Sequence, residues 1–274
     1  MTVHTRTACE QDRARCQFIE AGATPSLSYI DDTWTLFNAM PGGELIISML
    51  DQEVGGYGQF SPLFGPYGWL EALRIHPDYQ GKGLGKAIYR RYLEKMAEQD
   101  ITAVGMYTGV ANVVSKGLAE RFGLSLRGRF AEYTCPVEEP LQASADFGFL
   151  PVPQPTRPLP GSPTGNFFVL NRTFYPAEPG ALEHFAARGW LFEDGAGSRL
   201  IAGARFQPHK ALHVAHLEGD DEKCLRFAQA LAAEIGAAGL TAVRSVEDGE
   251  QDRLFQAQDF IRGAGELITL WLGL

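Results

Sequence analysis

Two periodicities alternate along the first half of the chain. Val3–Arg6, Glu44–Leu50, Val54–Phe60 and Ile101–Thr108 are short apolar or alternating runs that read as strands. Leu73 and Ile75 stand two apart in another strand, which Pro77 stops. Between these runs the spacing becomes helical. Cys16 and Ile19 mark the inner face of a helix over 9–21, with Gly22 as its stop. Residues 28–40 form a second helix, carrying Tyr29, Trp34 and Phe37. Ile88, Tyr92 and Met96 recur among Arg90, Arg91, Glu94, Lys95 and Glu98 in a third. Asn112 caps a fourth, which runs to Arg121 and ends at Phe122-Gly123-Leu124. Asp51-Gln52 reads as a hairpin turn and 61–68 as a loop, with 124–129 and 130–137 as closing strands. The fold class is α/β, with strands and helices mixed in an α+β order.

The second half repeats the first. Asp100-Ile101-Thr102-Ala103-Val104 returns as Gly239-Leu240-Thr241-Ala242-Val243, and Ile88, Tyr92 and Met96 fall on Phe227, Leu231 and Ile235 in that register. Arg127-Gly128 and Thr134 recur as Arg262-Gly263 and Thr269 after a four-residue deletion. Between the copies, Pro136, Pro140, Pro151, Pro153, Pro155, Pro158, Pro160 and Pro163 predict an extended connector. Phe147, Phe149 and Leu150 would lay part of it against protein. The expected division is 1–138, a connector over 139–165, and 166–274.

The strand ending at Ile75 leads into Gln80-Gly81-Lys82-Gly83-Leu84-Gly85-Lys86, after which the helix begins. Glycines let a backbone turn tightly and bring its N–H groups against a bulky ligand. The start of a helix adds unpaired donors and partial positive charge, so the stretch reads as a pyrophosphate cradle. A Walker A loop is excluded, because Gln80 stands five before Gly85 and Ala87 follows Lys86. A dinucleotide fingerprint is excluded because the glycines run Gly81-x-Gly83-x-Gly85.

Gln80-x-x-Gly83-x-Gly85 after a Leu73-x-Ile75-x-Pro77 strand closely resembles the acetyl-CoA site of the GNAT superfamily of N-acetyltransferases. The resemblance covers roughly residues 1–138 and says nothing of the acceptor. It implies a mixed central sheet flanked by helices, here duplicated in tandem, with early helices walling the acceptor pocket; core packing equally explains Trp34 and Phe37. It also implies acetyl-CoA as co-substrate. Residues 81–86 (Gly81, Lys82, Gly83, Leu84, Gly85, Lys86) would hold the diphosphate, with Gln80 beside them. The strand backbone through Leu73, Arg74 and Ile75 would pair with the pantetheine arm, and the Leu73 N–H would donate to the oxyanion. Asn112 matches the asparagine that binds that arm, and Ser115 the small residue one turn on, although an N-cap role also accounts for Asn112. The second copy departs at this point. It has Gly219-Asp220-Asp221-Glu222-Lys223-Cys224, whose carboxylates would repel a pyrophosphate. That copy is expected to bind no cofactor.

Acetyl transfer to an amine needs a base, oxyanion donors and a proton for the thiolate. Glu71, two residues before Leu73 and so on the same strand face, is the expected base; His76, on the opposite face, is its rival. Ala119 stands where the family usually has the tyrosine acid, which leaves Tyr107 and Tyr133 as substitutes, or no acid at all. These features predict an N-acetyltransferase working by direct attack of an amine in a ternary complex. The alternative is a catalytically weak CoA-binding sensor or scaffold, which Ala119 keeps open.

The formal charge of −9 is spread over both halves, so no basic face suggests nucleic acid. Cys9, Cys16, Cys135 and Cys224 have neither a CxxC pair nor zinc spacing, and they predict free thiols in a cytoplasmic protein. No apolar run reaches membrane length, so no membrane partner is expected. His213 and His216 point to opposite faces of a strand, and with His209 they suggest no metal. The expected partner is a small-molecule or peptide amine, with the chain a monomer or homodimer.

Overall fold

The computed structural model describes residues 1–25, 27–137, 142–158 and 167–274. It divides into two compact units. The first comprises Met1–Met106, Asn112–Leu126 and Leu270–Leu274; the second comprises Tyr107–Ala111 and Arg127–Thr269.

In the first unit β1 (Val3–Thr7), β2 (Glu44–Leu50), β3 (Glu53–Pro62) and β4 (Tyr67–Ile75) are successive antiparallel neighbours. β5 (Ala103–Gly109) begins parallel to β4. The helices are α1 (Arg13–Ala23), α2 (Ile30–Ala39), α3 (Leu84–Glu98) and α4 (Val113–Arg121). Cys16 and Ile19 of α1 and Ile30, Trp34 and Phe37 of α2 form a core with Leu45, Ile47, Tyr57 and Ala72 of the sheet. Each such large side chain contributes about 1.5–3 kcal/mol by leaving water. Trp34 and Phe37 are thus packing residues, and the Trp34 Nε1 donates to Glu10 Oε2 at 2.7 Å. Glu20 ties the two helices together, since its Oε2 accepts from the N–H groups of Tyr29 (3.0 Å) and Ile30 (3.1 Å) at the start of α2.

The second unit contains most of β6 (Ser125–Pro136), with β7 (Leu150–Pro151), β8 (Phe167–Leu170), β9 (Thr173–Pro176), α5 (Pro179–Ala186), β10 (Leu191–Glu193) and β11 (Arg199–Gly203). It continues with β12 (Leu212–Glu218), α6 (Asp221–Glu234), β13 (Gly239–Ser245), α7 (Gly249–Ala257) and most of β14 (Ile261–Leu272). Its strands run β7-β10-β11-β12-β13-β6, with β12 and β13 parallel, and β8–β9 form a separate hairpin. The core gathers Phe192, Leu200, Val214, Leu225, Phe227, Leu240 and Phe255.

The order of elements recurs between the two units. β10-β11-β12-α6-β13-α7-β14 repeats the succession β2-β3-β4-α3-β5-α4-β6. In both units the parallel register is short. It joins Tyr67–Trp69 to Ala103–Gly105 in one and Leu212–Val214 to Leu240–Ala242 in the other.

Several expectations are adjusted. Helix α1 runs through Gly22 to Ala23, and the 61–68 loop shrinks because β3 and β4 extend into both of its ends. The two closing strands are one continuous strand, β6. Within the proline-rich segment, Ser144–Phe147 makes a 3₁₀ turn, β7 pairs with β10, and Phe149 stacks on Phe227 with centroids 4.6 Å apart. The rest of that expectation, at 138–141 and 159–166, lies outside the described residues. Among the described residues no helix is long and apolar enough to cross a membrane.

Candidate active site

The first unit places the glycine loop at the end of β4. Pro77–Tyr79 forms a 3₁₀ turn, and the Gln80 side chain donates back to the Ile75 carbonyl at 3.2 Å. Gln80 therefore shapes the loop from within. Gly81 and Gly83 have φ of +76° and +94°, backbone that an L side chain enters only with strain, and α3 starts at Leu84. Among the described residues, the N–H groups of Gly81, Lys82, Gly83, Leu84, Gly85 and Lys86 find no acceptor. The first internal bond is Ala87 N–H to the Gly83 carbonyl at 3.1 Å. Lys86 is exposed, and the Lys82 ammonium lies 5.3 Å from the centre of the Tyr79 ring. The result is a row of unspent donors with two cations beside it, suited to a polyanion. A Cβ on Gly85 would sit 3.1 Å from Leu118 Cδ2, so this glycine serves the approach of α3 to α4.

β4 carries a bulge. Gln59 faces Glu71 and Tyr57 faces Arg74, so Ala72 and Leu73 both fall opposite Gly58, with Ala72 at φ +57°. Two-residue spacing therefore does not by itself put Glu71 and Leu73 on one face, because the alternation breaks between them. Glu71 is half-buried and accepts a 2.5 Å hydrogen bond from the buried Ser61 hydroxyl of β3. Arg74 donates from Nε to the Thr24 hydroxyl at 2.9 Å and from Nη1 to the Leu73 carbonyl at 3.0 Å. His76 stacks on Phe18, 4.9 Å between centroids, and its Nδ1 accepts from the Asp78 N–H at 3.4 Å. The parallel pairing of β4 with β5 ends at Trp69 and Gly105, before Leu73 is reached.

Asn112 caps α4: its Oδ1 accepts from the Ser115 N–H at 3.1 Å. Ala119 is fully buried and brings no hydroxyl.

Tyr107 and Tyr133 belong to the second unit and have different surroundings. The Tyr133 hydroxyl donates to Asp252 Oδ1 at 2.7 Å, with its ring buried beside Phe255. Burial, with the Asp252 hydrogen bond, pushes its phenol up to about 12. Tyr107 is half-buried, and the Arg172 guanidinium carbon lies 6.0 Å from its ring centre.

In the second unit the strand–helix junction corresponding in order to the glycine loop lies between β12 and α6. Asp220 caps α6 by accepting from the Lys223 N–H at 3.0 Å. The parallel strands β12 and β13 separate beyond Val214 and Ala242, and the buried Arg244 side chain fills the split. Its Nη1 donates to the carbonyls of Val214 (3.2 Å), Ala215 (3.3 Å) and Val243 (3.1 Å). Burial pulls this guanidinium down to about 10. His213 and His216 of β12 are likewise pulled down by burial, His213 to about 4. Among the described residues no group of three or more His, Cys, Asp or Glu side chains could hold a metal.

Ser61, Arg172 and Arg244 went unnoticed in the sequence, since none belongs to a motif and each has a partner at least ten residues away.

Residues 10–124 match the acetyltransferase (GNAT) family model. No curated protein matches the sequence. Three solved structures resemble nearly the whole chain. One is a GCN5-related N-acetyltransferase from Sphaerobacter thermophilus, 13% identical, TM-score 0.64, covering 98% of this chain and 95% of that one. Another is a candidate acetyltransferase from Pyrococcus horikoshii, 15% identical, TM-score 0.61, covering 99% and 89%. The third is a candidate acetyltransferase from Thermoplasma acidophilum, 11% identical, TM-score 0.59, covering 99% of each chain. At these identities the likeness is one of fold.

Proposed function

We propose, from the match of residues 10–124 to the acetyltransferase (GNAT) family model, that the chain moves an acetyl group from acetyl-CoA to a primary amine. The observation that carries this reading is the row of six unpaired N–H groups from Gly81 to Lys86. These donors, with Lys82 and Lys86, would hold the diphosphate of CoA. Leu73, Arg74 and Ile75 lie past the end of the β4–β5 pairing, where a strand-like pantetheine arm could add to the backbone. Asn112 and Ser115 would flank that arm from α4. Acetyl-CoA supplies an activated thioester, and the remaining work falls to side chains. Glu71, oriented by Ser61, takes the amine proton directly or through water; the Leu73 N–H donates to the oxyanion. Tyr107 and Tyr133 stand as the substitutes for the absent acid, and the hydroxyl of Tyr133 is engaged with Asp252.

In this reading the amine attacks the thioester in a ternary complex, with no acetyl-enzyme. Residues 1–138 form the acetyltransferase domain, 139–165 connect, and 166–274 form a degenerate copy that takes no cofactor because Arg244 fills its split. The acceptor is a small molecule or peptide, in a cytoplasmic setting without nucleic acid, membrane or metal.

Titration calorimetry tests the cradle. One equivalent of acetyl-CoA per chain is expected, abolished by Gly83→Glu with Gly85→Glu. No binding by the wild type would end the proposal. Binding without thiol release over a broad amine screen would favour a CoA sensor, and ping-pong kinetics would refute the direct-attack mechanism.

A further inference from the structure

Gly58 of β3 stands opposite both Ala72 and Leu73, because its neighbours Tyr57 and Gln59 pair with Arg74 and Glu71. This position has no side chain for a steric reason. A Cβ built there would collide with the Tyr92 hydroxyl of α3, and Ile88 Cγ2 would stand only 3.0 Å away. The phenol oxygen thus fills the space that a side chain at 58 would need, on the α3 side of β3 at the level of the bulge.

Tyr92 is fully buried, and its hydroxyl has no hydrogen-bond partner among the described residues. An unpaired buried O–H costs free energy that a phenylalanine would not. The oxygen therefore works against the stability of the fold. Burial first, and then the neighbouring Tyr89, Glu71 and Tyr29, push the phenol well above its ordinary value, while Arg74 pulls it down. Glu71 and Arg74 are the residues on either side of the bulge. The bulge is itself strained, since Ala72 holds φ +57°, a form that a residue with a Cβ keeps only where its surroundings impose it. A strand glycine, a non-glycine at positive φ and an orphaned hydroxyl thus meet at one point.

We propose that the Tyr92 oxygen is a wedge that holds the β4 bulge in register, which makes Tyr92 a positioning residue for Glu71 and the Leu73 N–H. The proposal rests on the transferase reading above, and every residue in it belongs to the first unit. The bulge breaks the alternation of β4 between these two groups, so its shape sets the angle between base and oxyanion donor. With the oxygen lodged against Gly58, β3 cannot close toward α3, and the extra residue of β4 cannot slip along the strand. The phenol exchanges no proton in the reaction. Its contribution is volume at one point.

The test compares Tyr92→Phe, which removes the oxygen, with the exchange variant Gly58→Ala/Tyr92→Phe, whose new methyl takes the oxygen's place. The full chain is followed by steady-state kinetics, urea unfolding and the amide resonances of Ala72 and Leu73. Tyr92→Phe is expected to unfold at the same or a higher urea concentration. It should nevertheless lose about tenfold or more in kcat, with both KM values within about twofold, and both resonances should move. The exchange variant should bring back most of kcat and return both resonances toward the wild type. Wild-type kcat or unmoved resonances in Tyr92→Phe would overturn the proposal alone. So would a loss of kcat that the exchange leaves unrepaired, because the hydroxyl would then act by its chemistry and not by its volume. Absence of thiol release from the wild type with every amine would overturn the transferase reading and the catalytic part of this proposal with it. The resonances need no turnover, so they test the wedge separately. Should the exchange variant fail to fold, kcat and the resonances of Tyr92→Phe decide the matter.

Discussion

Trp271 of β14 lies beside Trp69 of β4, 5.9 Å between ring centroids, and both are fully buried in the first unit. Tyr67 meets the same ring edge-on at 6.4 Å. The indole sits over Gly105, where a Cβ would come 2.2 Å from Trp271 Cε2, too close for any side chain. A residue that follows the whole second unit in sequence thus completes the core of the first. Trp271→Ala should destabilise the first unit by about 3–5 kcal/mol, and Gly105→Ala should also be costly because it displaces the indole. Urea unfolding followed by Trp69 fluorescence would show this. Loss confined to the second unit would contradict the packing.

Glu71 and Ser61 are expected to act as a pair. Glu71→Gln removes the proposed base and should lower kcat by about 10²–10⁴ while leaving acetyl-CoA affinity within about twofold. Ser61→Ala removes only the 2.5 Å donor, and a loss of about tenfold is expected through misorientation of the carboxylate. The double variant should be no slower than Glu71→Gln, since Ser61 acts through Glu71. Multiplicative losses would show that Ser61 has a separate role.

Acid should unfold the two units in sequence. Burial pulls His184 down to about 3 and His213 to about 4, from 6.5. A histidine with a lowered folded value contributes stability that is complete above its unfolded value and is lost as pH falls toward the folded one. These two belong to the second unit, which should therefore weaken between about pH 6.5 and 4, by up to about 3 kcal/mol for His213. In the first unit, the Arg6 hydrogen bond is the chief cause holding Asp12 at about 2, against 3.8. That contribution, about 2 kcal/mol for a nearly buried carboxylate, persists down to about pH 4 and disappears toward pH 2. Trp190 is the one tryptophan of the second unit, and Trp34, Trp69 and Trp271 lie in the first. Emission from Trp190 should change at the higher pH, and simultaneous transitions would refute the order.

The glycine loop was legible because its physics is local. Backbone freedom at Gly81 and Gly83 and donors at the start of α3 both follow from adjacent residues, and helix periodicity did the same for α2 and α3. The bulge in β4 was not legible. Ala72 takes φ +57° without glycine, asparagine or aspartate to announce it, so the alternation through Glu71 and Leu73 looked unbroken in sequence. Trp271 was hidden for another reason. Its partners Trp69 and Gly105 lie more than 160 residues earlier, and nothing in a local pattern records such a contact.

Arg244 offers the sharpest test of why the second unit differs. A fully buried guanidinium is expensive to desolvate, and its Nε and Nη2 have no hydrogen-bond partner among the described residues. Replacement by methionine would relieve that cost while filling similar volume. Against this, Nη1 serves the carbonyls of Val214, Ala215 and Val243 at the strand split, and all three would lose that charged donor. A hydrogen bond to a charged donor contributes about 1.5–3 kcal/mol, so losing three outweighs what removing one poorly solvated cation returns. Arg244→Met should therefore destabilise the second unit by about 2–4 kcal/mol, read from the Trp190 transition in urea. Acetyl-CoA stoichiometry should stay at one, because Asp220, Asp221 and Glu222 still face any diphosphate brought to α6. A stabilised variant would mean that waters, not Arg244, satisfy those carbonyls. A second bound equivalent would mean that the arginine alone had closed the site.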